Sequence, residues 1–143
     1  MATTEPPGNG TAAQWPDPLK VSAAAEGGCV RLLRRRLAQW LRGDHLGEDV
    51  VEDLVLAVSE ALENCCDHAF EQSSSAGTMT LSARLVEQTV LITVADDGRW
   101  QQAGTGPSHR GRGLAMMREL VDDVVIETGP DGTQLALIRH LGR

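Results

Sequence analysis

Apolar residues along the chain follow two repeats, and the switches between them mark out the elements. In CVRLLRRRLAQWL, Leu33, Leu37, Trp40 and Leu41 recur at the spacing of one helical face. Gly43 follows as a stop signal. A second helix is expected to start near Asp44 to Glu48, because carboxylates favour a helix N-terminus. Its apolar stripe is Val51, Leu54, Val55, Val58, Leu62, Cys65 and Ala69. At about 100° per residue, Glu60, Asn64 and Asp67 fall on the side away from that stripe, so they are expected on an exposed face.

Period-two patterns then take over. TMTLSARLV and TVLITVAD alternate as two strands joined by a tight Glu87-Gln88 turn. Leu19 to Ala23 fits a short first strand, and Leu114 to Val121 a short helix opening at Gly-Arg-Gly. VVIET and TQLALIRHL fit a closing hairpin around Gly129-Pro130-Asp131-Gly132. A Ser/Gly loop is expected at 72–77. The stretch from Asp96 to Gly113 has no periodicity and makes the longest internal loop, which in a compact domain points to function or mobility. Residues 1–16 read as a flexible tail before one domain over 17–143. This order predicts an α+β two-layer sandwich: a mixed, mainly antiparallel sheet with helices on one face.

Composition narrows the function. With 143 residues the chain fits one domain, and with no Tyr and one Phe its core must come from Leu, Val, Ile, Ala and Met. A net charge of −7 argues against general binding to nucleic acid or anionic membrane. The charge is uneven: Arg31, Arg34, Arg35, Arg36 and Arg42 crowd residues 29–42, whereas residues 43–72 hold many acids and no Lys or Arg. Cys29, Cys65 and Cys66 form neither a disulfide framework nor a zinc spacing, and Cys65 reads as core. No signal peptide or bilayer-length apolar run is evident, so a cytoplasmic location is expected.

Four polar segments carry candidate chemistry. Glu60 and Asn64 lie one turn apart on a helix. An amide oxygen such as that of Asn64 suits Mg²⁺, a hard cation that takes few protein ligands when phosphates supply the rest. A carboxylate one turn earlier is placed to accept a proton from an attacking hydroxyl. Asp96-Asp97-Gly98 ends a strand; a carboxylate only accepts, so it matches an exocyclic amino donor. Arg110-Gly111-Arg112-Gly113-Leu114 opens a helix, whose unpaired N–H groups attract phosphate. Asp131-Gly132-Thr133 enters the last strand. Taken singly, each also fits a common feature: a solvated helix face, a β-turn, a flexible loop, a hairpin entry.

In this order and spacing the four segments resemble the GHKL ATP-binding superfamily. SEALENCCDHA and the short chain are similar to the anti-sigma factor serine/threonine kinases, the sporulation and stress-response switch kinases. The resemblance covers about residues 17–141. It implies Glu60 as catalytic base, Asn64 as the Mg²⁺ ligand that bridges to ATP, and Asp96 as acceptor for the adenine amino group. It further implies ATP contacts from His68, Gly98, Arg110, Gly111, Arg112, Gly113, Leu114 and Thr133. The loop from Arg99 to Arg110 would be the lid, with Trp100 standing where the family pattern has a second glycine. Arg31, together with Arg35, would meet a sigma factor and an anti-anti-sigma protein, and the active form would be a homodimer. A non-catalytic anti-sigma adaptor that binds nucleotide in a degenerate pocket is the competing expectation. A histidine kinase module or a gyrase-type ATPase fits less well, since the chain lacks a phospho-accepting dimerisation helix and transducer domains.

Overall fold

A computed structural model of the chain describes residues 17–43, 46–72, 77–97, 109–130 and 132–141, with the side chains of 68–72 and 109–112 outside the description. The elements run β1 (Leu19–Ala24), α1 (Gly27–Gly43), α2 (Glu48–Gln72), β2 (Thr78–Val86), β3 (Thr89–Asp96), α3 (His109–Leu120), β4 (Asp123–Gly129) and β5 (Gly132–His140). The expected tail at 1–16, most of the Ser/Gly loop, Gly98, Trp100, the lid up to residue 108 and Asp131 lie outside the described residues.

The strands order as β1-β2-β3-β5-β4, and all four pairings are antiparallel. Alternation sets the two faces. Met79, Leu81, Ala83 and Leu85 of β2 turn inward with Val90, Ile92 and Val94 of β3 and Leu135 and Leu137 of β5. The three helices cover that face, where Leu33, Leu37 and Leu41 of α1 and Leu54, Ala57, Val58, Ala61 and Leu62 of α2 complete the core. Each fully buried Leu contributes about 1.5–3 kcal/mol. Trp40 is half-buried and its Nε1 donates to the Asp17 carbonyl at 2.7 Å, which ties the chain ahead of β1 to α1.

Two sequence readings need correction here. First, α2 is not a helix with one buried face. Asn64 is 3 % exposed, and the solvent stripe runs through Glu52, Leu56, Glu63 and Asp67. The cause is a second buried strip made of small residues. Ala57, seven positions before Asn64 and only about 20° away around the helix, is fully buried with Ala61, on a helix that also packs against α3. Second, α3 begins at His109, so residues expected in the loop form its first turn. Gly111 and Gly113 have low helix propensity, which hid that turn; packing against α2 overrides it.

Arg139 binds three elements at the end of the sheet where β3 starts. Its Nη1 donates to the Leu120 carbonyl at 2.7 Å and to Asp53 Oδ2 at 3.2 Å, so one guanidinium caps the C-terminus of α3 and holds α2. Arg139→Ala is therefore expected to lower stability by about 1–3 kcal/mol, read as a shift in urea midpoint. An unchanged midpoint would mean that this cap is redundant.

Candidate active site

The site lies at the opposite end of the sheet, where β3 stops and β5 starts. Asp96 is the last residue of β3 and pairs across the ladder with Thr133. Both follow the alternation of the inward face, so both turn toward the helices. Thr133 is 2 % exposed and Asp96 half-buried. The backbone here is tightly fixed. Gly132 has φ +139°, a conformation that side-chain-bearing residues rarely adopt, and a Cβ there would meet the Asp96 carbonyl oxygen and approach Asp97 Cα to 2.8 Å. From the other side, Asp97 Oδ1 accepts from the Thr78 N–H at 3.0 Å, with Gly77 lying against the same carboxylate.

Helix α2 supplies the other groups. Glu60 is half-buried, and its carboxylate lies against Gly113 of α3, so that a Cβ at Gly113 would come within 2.9 Å of Glu60 Cδ. Gly113 thus leaves room for the Glu60 carboxylate where α3 meets α2. One turn beyond Glu60 stands Asn64, buried, with no hydrogen-bond partner for Nδ2 among the described residues. The next residue, Cys65, is 1 % exposed and near enough to Asp96 to feel its charge. Burial first, and then that nearby charge, push its thiol pKa far up. Burial raises the neighbouring Cys66 thiol to about 11.

A line of residues therefore runs from Gly113 to Glu60, along one turn of α2 to Asn64 and Cys65, and on to the Asp96–Thr133 pair at the sheet end. Leu114 is half-buried beside it. Arg110, Gly111 and Arg112 lie in the first turn of α3, and His68 one turn after Asn64; their side chains are outside the described residues. An open cleft of about 430 Å³ borders this line, with Asp96, Thr133 and Gly132 on its wall. The cleft also reaches Ala95, Glu127 and Gln134, which alternate to the outer face of the sheet, and does not include Glu60 or Asn64. Arg31 and Arg35 are exposed on α1, beside an exposed Leu32.

Leaving a buried donor unpaired costs about 1–3 kcal/mol, and native interiors rarely bear that without a purpose. Magnesium with phosphates would ask for a single carboxamide oxygen or little more. Among the described residues no group of three or more His, Cys, Asp or Glu side chains is arranged to hold a metal; Asn64 Oδ1 could supply one ligand of that kind, whereas its unpartnered Nδ2 is a donor and would meet a phosphate oxygen rather than the cation.

Comparison with known proteins decides the family. Residues 22–139 match the model of the histidine kinase-like ATPase domain. The chain belongs to this family. Its relatives include an anti-sigma F factor of Bacillus velezensis, 29 % identical over an alignment of 107 residues, with 66 % of this chain and 73 % of the relative covered. Another is a serine-protein kinase RsbW of Staphylococcus aureus, 25 % identical over 86 % of this chain and 85 % of the relative. In structure, this ATPase-family chain superposes on the RsbU and RsbW domains of Rv1364c from Mycobacterium tuberculosis with TM-score 0.73 and 29 % identity, covering 90 % of this chain and 33 % of that one. This chain thus spans about a third of that two-domain chain. The α+β sandwich expected from the sequence is the fold of that neighbour. No helix among the described residues is long and apolar enough to cross a membrane.

Proposed function

We propose that this histidine kinase-like ATPase domain, residues 17–143, is an ATP-dependent serine/threonine kinase that also acts as an anti-sigma factor. It would phosphorylate an anti-anti-sigma protein and sequester a sigma factor in the cytoplasm, as a homodimer. The observation that carries this reading is Asn64, a buried carboxamide one turn after Glu60 whose nitrogen has no partner among the described residues. Relatives named as anti-sigma F factor and serine-protein kinase support it.

In this reading Asp96 accepts from the adenine amino group and Thr133 lies beside it. Gly98, on the segment after β3, lets the base approach. Asn64 holds Mg²⁺, which when bound would neutralise phosphate charge. The first turn of α3, with Arg110, Gly111 and Arg112, receives the phosphates, and its N–H groups favour anions there. Gly113 and Leu114 seat that turn, and His68 borders it. Glu60 takes the proton lost by the partner's serine or threonine hydroxyl, which leaves the oxygen free to attack the γ-phosphoryl group. Arg31 and Arg35 form the partner surface, because exposed guanidinium groups suit an acidic protein.

Incubation with γ-labelled ATP and a candidate anti-anti-sigma protein tests the reading, paired with sigma-factor pull-down. Label on a serine or threonine of the substrate is expected. ATP binding and sigma capture without label would establish the adaptor function instead.

A further inference from the structure

We propose that Asp97 is a positioning residue for nucleotide recognition: by accepting from the Thr78 N–H, its carboxylate fixes the bend at which the chain leaves β3 and so holds the Asp96–Thr133 pair in place. The inference rests on the reading that the nucleotide base is received at that pair, and adds to it a residue to which the sequence motifs gave no role.

The β2–β3 ladder keeps its register as far as the Met79–Asp96 pair. One more step would set Asp97 opposite Thr78, but the chain bends there and the ladder ends. The Thr78 N–H is met instead by Asp97 Oδ1 at 3.0 Å. A side chain thus takes the place of a main-chain acceptor, and the strand end stays anchored where the ladder has stopped. The donor itself is fixed. Thr78 pairs with Ala24 of β1, and the Gly77 carbonyl accepts from the N–H of buried Ala25 at 2.8 Å.

Two glycines make room for this bend. Gly132, at the entry to β5, lies against Asp97 Cα, and Gly77 lies against the Asp97 carboxylate. Asp97 is therefore clasped between the entries to β2 and β5, directly beside Asp96. The residue is exposed, so its bond adds little to global stability and acts on the geometry of the strand end. Without the bond the end of β3 is free to open locally, which loosens Asp96 at little cost to the rest of the fold.

The test compares the wild-type chain with Asp97→Ala, Asp97→Asn, Gly77→Ala and the double variant that joins Gly77→Ala to Asp97→Ala. Calorimetry reads affinity for Mg-ADP and for Mg-GDP, and a thermal scan without nucleotide reads stability. Asp97→Ala is expected to bind ADP about tenfold more weakly and to narrow the preference over GDP. Asp97→Asn keeps an acceptor oxygen and is expected to recover most of both. A methyl group at Gly77 meets only the far end of the Asp97 side chain. Gly77→Ala is therefore expected to fold, to push the carboxylate off the Thr78 N–H and to reproduce the loss from another segment. Because both changes act through one contact, the double variant should bind no worse than either single one. Additive losses, or wild-type affinities in both single variants, would refute the positioning role and leave the base reading standing. Equal losses for the two nucleotides with a lowered melting temperature, or an asparagine variant that behaves like alanine, would reduce Asp97 to a structural residue. A wild-type chain that binds ADP and GDP equally, or neither, would overturn the base reading, and this inference with it.

Discussion

Glu60→Gln is expected to bind Mg-ATP with near-normal affinity and to transfer phosphate to a protein hydroxyl about 10²–10⁴-fold more slowly. Glutamine keeps the size and the hydrogen-bonding reach of glutamate and loses only the capacity to accept the hydroxyl proton. The structure adds a stricter form of the same prediction. A methyl group at Gly113 would collide with the Glu60 carboxylate, and the atoms it meets first are the far end of a flexible side chain. Gly113→Ala should therefore fold, since the carboxylate can swing away, and should lose transfer to a similar degree because the base no longer stands where it did. Single-turnover phosphorylation of a partner, with nucleotide affinity measured alongside, distinguishes the two effects. Full transfer by either variant would remove Glu60 from the base role.

Gly132→Ala should act through the backbone rather than through a side chain. Here the obstructing atoms are the Asp96 carbonyl oxygen and the Asp97 Cα, neither of which can rotate aside. The residue also holds φ +139°, where an L side chain is strained in any surroundings. Separation of β3 from β5 at the Asp96–Thr133 pair is the only way to admit the methyl group. The expected cost is about 2–4 kcal/mol, seen as a lower denaturant midpoint, together with loss of nucleotide binding. A variant of wild-type stability would mean that the hairpin enters β5 by another path.

The strands were the most legible part of the fold. Alternation in TMTLSARLV and TVLITVAD placed β2 and β3 at their observed bounds, because one face of the sheet is buried and the other is not. The helices were harder to read. Counting large apolar residues found the stripe of α2 that meets the sheet but missed the second strip, where Ala57 and Ala61 are small enough to pass for surface. That omission placed Asn64 in solvent, whereas its burial is the strongest physical sign of the site. Periodicity assigns polar residues to water by construction, so Glu60, Asn64, Asp96 and Thr133 could be joined only through the order of their motifs. The approach of Glu60 to Gly113 had no signal in the sequence. It depends on how two helices far apart along the chain pack together.

The central claim is that the buried Asn64 amide is held ready for a metal-bound nucleotide. Calorimetric titration of the purified chain with Mg-ATP addresses it most directly, with Asn64→Ala run in parallel. Saturable binding by the wild type, lost in Asn64→Ala and sharply reduced when magnesium is chelated, is the predicted result. Equal binding by both proteins, or no heat from either, would contradict it.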